Sequence, residues 1–295
     1  LYQNNDWVWI PVRLRKTDIN YINKYWGACE DKSAPTLEKI HNKYYLRFSF
    51  TETVILSDTP IAEQIICAVD LGINTDAVCS IMKADGTILA RKFIDFTSDK
   101  DRMIHAMNRT RRKQSKYGPR SATSLWAYVK RLNNNRAKKT ASAIVEFAAQ
   151  NSVDVIVMEH LDFKCCKKRG SKAQKLSMWN HGAIRKCVEQ KAHLRGIRIA
   201  TICAWKTSAL AFDGSGSVAR DDNNHALATF TTGKQYNCDL SASYNIGARY
   251  FIRELLKSLS ATEESRVKAK VPDVGRRTSC TLSTLRTLVK ELAAA

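Results

Sequence analysis

Hydrophobic and polar positions alternate, or nearly alternate, at Trp7-Val8-Trp9-Ile10-Pro11-Val12 and again at Tyr44-Tyr45-Leu46-Arg47-Phe48-Ser49-Phe50. A period of two is the mark of half-buried strands, so residues 1–60 read as β-rich. An apolar run follows, Ile65-Ile66-Cys67-Ala68-Val69, closed by Asp70-Leu71-Gly72. A second strand is predicted over about 76–83, an Asp85-Gly86 turn follows it, and a third strand runs over 87–96. Three strands joined by short turns make an antiparallel meander.

The period then changes. Residues 98–116 are polar and basic, and Tyr117-Gly118-Pro119 breaks them. Over about 122–150, Leu125, Val129, Leu132, Ala141, Ile144, Val145 and Ala148 recur at helical spacing. Val153-Asp154-Val155-Ile156-Val157-Met158 reads as a short buried strand ending in Glu159-His160-Leu161. Residues 176–195 are again helical, with Ile184, Cys187, Val188 and Leu194 on the apolar side, and 197–203 is a strand. A polar loop fills 212–237, and Asp239 opens a helix reaching about Leu256. Residues 258–279 read as a polar linker and 281–292, with Leu282, Leu285, Leu288 and Leu292, as a short amphipathic helix of unknown partner. The order β-β-β-α-β-α-β-loop-α predicts an α/β domain, a mixed sheet flanked by helices; the ribonuclease H-like fold has that order.

Composition narrows the function. Of 295 residues 44% are hydrophobic, which suffices for a sizeable core and excludes a disordered chain. No apolar run is long enough to span a bilayer, and no secretory or transit segment is expected. The chain opens Leu1-Tyr2-Gln3 and closes Ala293-Ala294-Ala295, and neither end carries a functional argument. The nine cysteines include no C-x2-C pair, so they read as free thiols of a reducing, cytoplasmic compartment. A net charge of +20 calls for an anionic partner, nucleic acid first and an anionic membrane surface second.

That charge is concentrated. Residues 100–139 hold 13 Lys and Arg against the single acid Asp101, and residues 164–175 hold six and no acid. Solvated helix faces usually mix signs. Arg109, Arg111, Arg112, Lys113, Lys116 and Arg120 in the first stretch, and Lys167, Lys168 and Arg169 in the second, are therefore candidate phosphate contacts. Tyr117, Trp126 and Trp179 are interleaved aromatics; base stacking is open to them, but the tryptophans read as core residues.

Three carboxylates fall at element ends: Asp70 ends the first strand of the meander, Glu159 ends the strand after the long helix, and Asp239 opens the last helix. If those strands are neighbours, the three can converge at one edge. Converging carboxylates repel unless hard cations lie between them, and oxygen-rich sites favour Mg²⁺ or Mn²⁺. Two such ions about 4 Å apart can activate water and stabilise the leaving oxygen of a phosphodiester. Each acid also has a plain alternative. Asp70 before Leu-Gly can be a turn residue, Glu159 a solvated loop acid and Asp239 an N-cap.

Ala68-Val69-Asp70-Leu71-Gly72-Ile73-Asn74, Val155-Ile156-Val157-Met158-Glu159-His160-Leu161 and Asp239-Leu240-Ser241-Ala242-Ser243-Tyr244-Asn245-Ile246 occur in that order. They resemble the three RuvC motifs of the TnpB family, also called OrfB transposases of insertion sequences, whose nuclease domain type V CRISPR effectors share. The similarity covers roughly residues 45–258, and it departs from the family at Ser241-Ala242, where Asn-Ala is usual. The resemblance implies two divalent ions held on Asp70, Glu159 and Asp239. It implies a guide RNA and a DNA target as partners, and a nucleoid-associated place in the cytoplasm. Asp76, Asp154 and Asp162 lie near the motifs but outside their acid positions.

The layout implied is a partial β-rich, wedge or OB-like segment over 1–60, a RuvC-like domain over 61–258, and a linker with a terminal helix over 259–295. With only about 60 residues before the first motif, the family's N-terminal recognition region is expected to be largely missing. The family also carries a four-cysteine zinc ribbon before the last motif. Here, at about 206–237, Thr207-Ser208 and Gly233 keep the frame, while Ala211, Gly214, Thr229 and Thr232 occupy the ligand positions. Zinc needs thiolate or imidazole ligands, and His225 and Cys238 alone are too few, so no structural zinc is expected. The function implied is a metal-dependent DNA endonuclease. The rivals are a non-cleaving RNA- and DNA-binding regulator of the same descent and a basic structural module, which would leave the acids without a job.

Overall fold

The computed structural model describes residues 2–9, 11–29, 31–161, 178–221, 224, 226–276 and 278–294. The chain falls into two compact units, Leu1–Val54 and Ile55–Ala295. In the first, β1 (Tyr2–Gln3) pairs with β2 (Asp6–Trp7), and β3 (Thr36–Ile40) pairs with β4 (Lys43–Arg47). Asn4-Asn5 and His41-Asn42 have positive φ, as type I′ hairpin turns demand. The strand expected over 7–12 is reduced to Trp7 among the described residues, and helix α1 (Lys16–Ile22) stands where a β-rich stretch was expected. None of the described side chains of this unit is buried, so no core enforces the alternation seen in its sequence.

The second unit is built on one mixed sheet. Its strands are β5 (Ile65–Asp70), β6 (Ala77–Lys83), β7 (Ile88–Ile94), β8 (Val155–His160) and β9 (Arg198–Cys203), in the spatial order β7-β6-β5-β8-β9. The meander β5-β6-β7 is antiparallel, whereas β8 and β9 run parallel to β5. This is the strand order and direction of the ribonuclease H-like fold. Helices α2 (Thr97–Tyr117), α3 (Thr123–Gln150) and α4 (His181–His193) follow the meander and connect the parallel strands.

Both faces of the sheet are covered, which explains why β5 and β8 read as continuous apolar runs rather than alternating ones. On one face Cys67, Val69, Ile156 and Met158 meet Ala141, Ile144 and Val145 of α3 and Ile184 and Val188 of α4. On the other, Ile66, Ala68, Val155 and Val157 meet Leu240, Tyr244 and Phe251 of α5 (Cys238–Lys257). Gly247 permits that close approach, since a Cβ there would lie 2.9 Å from the Met82 methyl and 3.2 Å from the Ala68 Cβ.

Three elements depart from the sequence expectation. The basic stretch 98–116, read from the sequence only as polar and basic, is part of a regular helix, α2. The supposed linker contains α6 (Ala261–Lys270), started by a Ser260–Glu263 capping box. The amphipathic terminal helix α7 (Leu282–Ala293) has a partner within the chain, for its Leu282, Leu285 and Leu288 belong to the core under α5.

The insertion over about 206–237 carries a small sheet of β10 (Ala219–Arg220), β11 (Leu227–Thr229) and β12 (Gln235–Asn237). Its centre is apolar: Ala211, at a position where the resemblance expected a ligand, is buried with Ala228, Phe230 and Cys238. Phe212 meets Phe230, Tyr236 and Tyr244 edge-on at 5.5, 4.9 and 5.3 Å between ring centroids, and the Tyr236 and Tyr244 hydroxyls are 3.1 Å apart. The Lys234 ammonium lies 4.7 Å from the Phe212 ring centre. An aromatic cluster thus ties the insertion to α5.

Candidate active site

The parallel register of β5 and β8 matches Val69 with Met158, so the next residues stand side by side, Asp70 as the last of β5 and Glu159 as the last but one of β8. Alternation assigns their faces. Ile66 and Ala68, and Val155 and Val157, point to the α5 side, and the same parity carries Asp70 and Glu159 there. Asp239 lies in the first turn of α5, whose N-cap is Asn237, its side chain accepting the Leu240 N–H at 2.9 Å. Asp239 is therefore not the N-cap its position allowed, and its carboxylate is left for other work.

Of the three acids, Asp70 feels the charge of the other two. Burial, then the negative charges of Glu159 and Asp239, push the Asp70 carboxyl well above the usual carboxylate range. Burial raises Glu159 as well, opposed by the Thr207 hydroxyl and the Arg249 charge. Asp239 is raised by burial and held back by Arg220. A buried carboxyl whose proton affinity is raised by two neighbouring carboxylates is the donor chemistry that suits a hard divalent cation. As they stand, no three His, Cys, Asp or Glu side chains among the described residues are grouped closely enough to hold one ion.

Two neighbours escaped the sequence reading. Thr207, buried and counted there only as part of the ribbon frame, donates its hydroxyl to Glu159. Arg220, exposed on β10, has its guanidinium 3.3 Å from the Ser208 carbonyl, and its charge lowers both Asp70 and Asp239. Nothing in the periodicity marks either residue; only the folding of the insertion over the sheet end brings them in.

Of the basic candidates, Arg109, Arg111, Arg112, Lys113 and Lys116 are exposed along α2, and Arg120 is exposed on the turn that follows. Lys167, Lys168, Arg169 and the decoy Asp162 lie outside the described residues. Part of the positive charge is matched internally. Lys100 and Arg136 approach buried Asp76 at 3.6 and 3.4 Å, and Lys139 pairs with Asp99 at 2.6 Å. Asp76 is a structural anchor, and so is Asp154, whose carboxylate accepts Ser57, Thr59 and the Ile65 N–H at 2.5–2.8 Å. Trp126 and Trp179 are half-buried, Trp179 against the α3–α4 core, while Tyr117 is exposed.

No protein-family model and no curated protein matches the sequence. Among solved structures the chain is similar to Cas12f1 in a complex with sgRNA and target DNA, at 18% identity over 71% of this chain and 54% of that one, with a TM-score of 0.48. A CRISPR-Cas12f ternary complex matches at 18% over 79% and 48%, with a TM-score of 0.45. RuvC of Thermus thermophilus matches at 10% over 78% of this chain and 97% of that one, with a TM-score of 0.30. The chain thus spans about half the length of the Cas12f chains it matches. None of these scores reaches 0.5, so the fold assignment rests on strand order and direction.

Proposed function

We propose that this chain is the nuclease part of an RNA-guided, transposon-associated DNA endonuclease of TnpB type. The observation that carries the reading is that Asp70 and Glu159 follow the Val69–Met158 pair on neighbouring parallel strands, on the face packed by α5, which carries Asp239 in its first turn. Asp70, Glu159 and Asp239 would hold two Mg²⁺ or Mn²⁺ ions, which when bound supply an activated water and stabilise the leaving 3′ oxygen. The chain's own residues do the rest. Thr207 fixes the Glu159 carboxylate, and Arg220 offers positive charge to a phosphate beside the acids. The exposed cations of α2 would hold the backbones of a guide RNA and its DNA target, with base pairing reading the sequence.

The test uses the protein purified with the RNA it binds in the cell. Asp70→Ala, Glu159→Ala and Asp239→Ala should each abolish Mg²⁺-dependent DNA cleavage while binding persists, and the triple variant should be no worse than any single one. A Glu159→Ala protein that cuts as well as the parent would overturn the assignment. A parent that binds RNA and DNA tightly yet never cuts with Mg²⁺ or Mn²⁺ would make it the binding regulator instead.

A further inference from the structure

The turn after β9 carries an aromatic side chain that the proposed chemistry leaves unused. Trp205 is 66% exposed. A single exposed apolar residue is ordinary on a protein surface. This one stands on a backbone held from several sides. Arg249 of α5 donates Nη1 to the carbonyls of Cys203 at 3.0 Å and Trp205 at 2.7 Å. Asn245, fully buried on the same helix, donates to the carbonyls of Thr207 at 3.0 Å and Leu210 at 2.9 Å. Between them Lys206 is exposed at φ 60°, a left-handed backbone that costs a non-glycine residue about 1–3 kcal/mol and persists only where its surroundings over-determine it. The turn is therefore rigid, and it holds an indole out to solvent.

Its place gives the indole a partner. β8 and β9 match Glu159 with Ile202 and His160 with Cys203, so the turn leaves the sheet at the end where Glu159 lies. Thr207 reaches inward to Glu159, while the Ser208 carbonyl meets Arg220, whose charge is felt at Asp70 and Asp239. Trp205 and Lys206, with Arg220 beside them, thus rim the acidic edge. The exposed cations beside it, Lys206 next in sequence and Arg220 on the Ser208 carbonyl of the same turn, favour an anionic partner. A strand of nucleic acid offers what they lack: phosphates for Lys206 and Arg220, and π-faces for the indole. Bases inside a duplex are already stacked, so only unpaired ones are available to Trp205.

We propose that Trp205 is a stacking platform for an unpaired base of a single nucleic-acid strand passing the Asp70–Glu159–Asp239 edge. The proposal rests on reading that edge as a nucleic-acid site, but it is testable without cleavage. The full chain is titrated, with divalent ions chelated and salt fixed, against a polythymidine strand of about 16 nucleotides and an abasic strand of equal length. Stacking on one base is worth about 1–3 kcal/mol, or about 5- to 150-fold in affinity. Trp205→Ala should lose that factor on polythymidine and bind the abasic strand like the parent, while Trp205→Phe should stay within about twofold on both. Equal losses on both strands, no loss on either, or a Phe variant as weak as the Ala variant would overturn it. So would a parent with no preference for the base-bearing strand. A chain that stacks but never cuts leaves the platform standing and removes the nuclease. A chain that cuts, with Trp205→Ala binding both strands like the parent, does the reverse.

Discussion

Asp76→Ala should destabilise the protein severely although Asp76 is no part of the acidic edge. Asp76 is 2% exposed and accepts the Phe96 N–H at 2.9 Å, at the entrance to α2. Its carboxylate is 3.4 Å from Nε of Arg136 on α3 and 3.6 Å from Nζ of Lys100 on α2. Lys100, 15% exposed, keeps Asp95 as an alternative partner, but Arg136 is 9% exposed and has no other ion pair among the described residues. Removing one member of a buried pair costs about 3–5 kcal/mol, because the other charge stays buried and uncompensated. For a unit spanning 55–295, with about 2–4 °C for each kcal/mol, the melting temperature should fall by about 6–20 °C. The assay is thermal and urea unfolding followed by circular dichroism. Asp76→Ala/Arg136→Met should recover much of the loss, since the stranded charge leaves with its partner. A single variant within about 1 kcal/mol of the parent, or a double variant in which two losses add, would refute the reasoning. Asp76→Ala is for the same reason unsuitable as an inert control in cleavage assays.

Phe230→Ala should cost about 3–5 kcal/mol, because the ring is buried at the centre of the cluster occupying the ribbon frame, whereas chelators should leave the melting temperature unchanged; a chelator-induced fall would restore a metal staple. The acidic edge should make the metal-free protein less stable as pH rises. Asp70, Glu159 and Asp239 all have raised carboxyl pKa values, so their contribution is fully present below about pH 4 and is lost as pH climbs through the raised values. Urea unfolding at pH 8 should accordingly find Asp70→Asn more stable than the parent without divalent ions, and a less stable variant would contradict the electrostatics.

What the sequence made legible follows from where the core is. β5, β6 and β8 are buried on both faces, and their apolar runs are strong signals; the parity that turns Asp70 and Glu159 to one side comes with them. Helix α2 left little trace because only Met103 and Thr110 of its residues are buried, and α6 buries only Val267. A helix that hides one or two side chains offers few strongly apolar positions to read, and its caps and charges must announce it instead. Asn237 illustrates a different limit. Asn237 and Asp239, two positions apart, are both residue types that cap helices, and only the helix start decides between them. Thr207 and Arg220 depend on contacts across the insertion, which no local pattern encodes.

Helix α5 explains how the 206–237 insertion is held against the acidic edge. Successive turns of this one helix take up different neighbours: Asp239 joins the acids, and Tyr244 enters the aromatic cluster of the insertion. Asn245 binds the turn carrying Thr207 and accepts the Leu282 N–H at the start of α7, at 3.3 Å. Gly247 lets the helix onto the sheet, and Arg249 holds the Trp205 turn and, through the carbonyls of Thr278 and Cys280, the approach to α7. Such a helix is buried all round, as the unbroken burial from Leu240 to Ile252 records, and a buried helix has no soluble face on which to absorb change. The insertion needs no cysteine ligands to keep its place, because it is fastened to α5 through Tyr236 and Tyr244. Substitutions along α5 have little freedom: shifting it by the width of one methyl group would move Asp239, Thr207 and the Trp205 turn together.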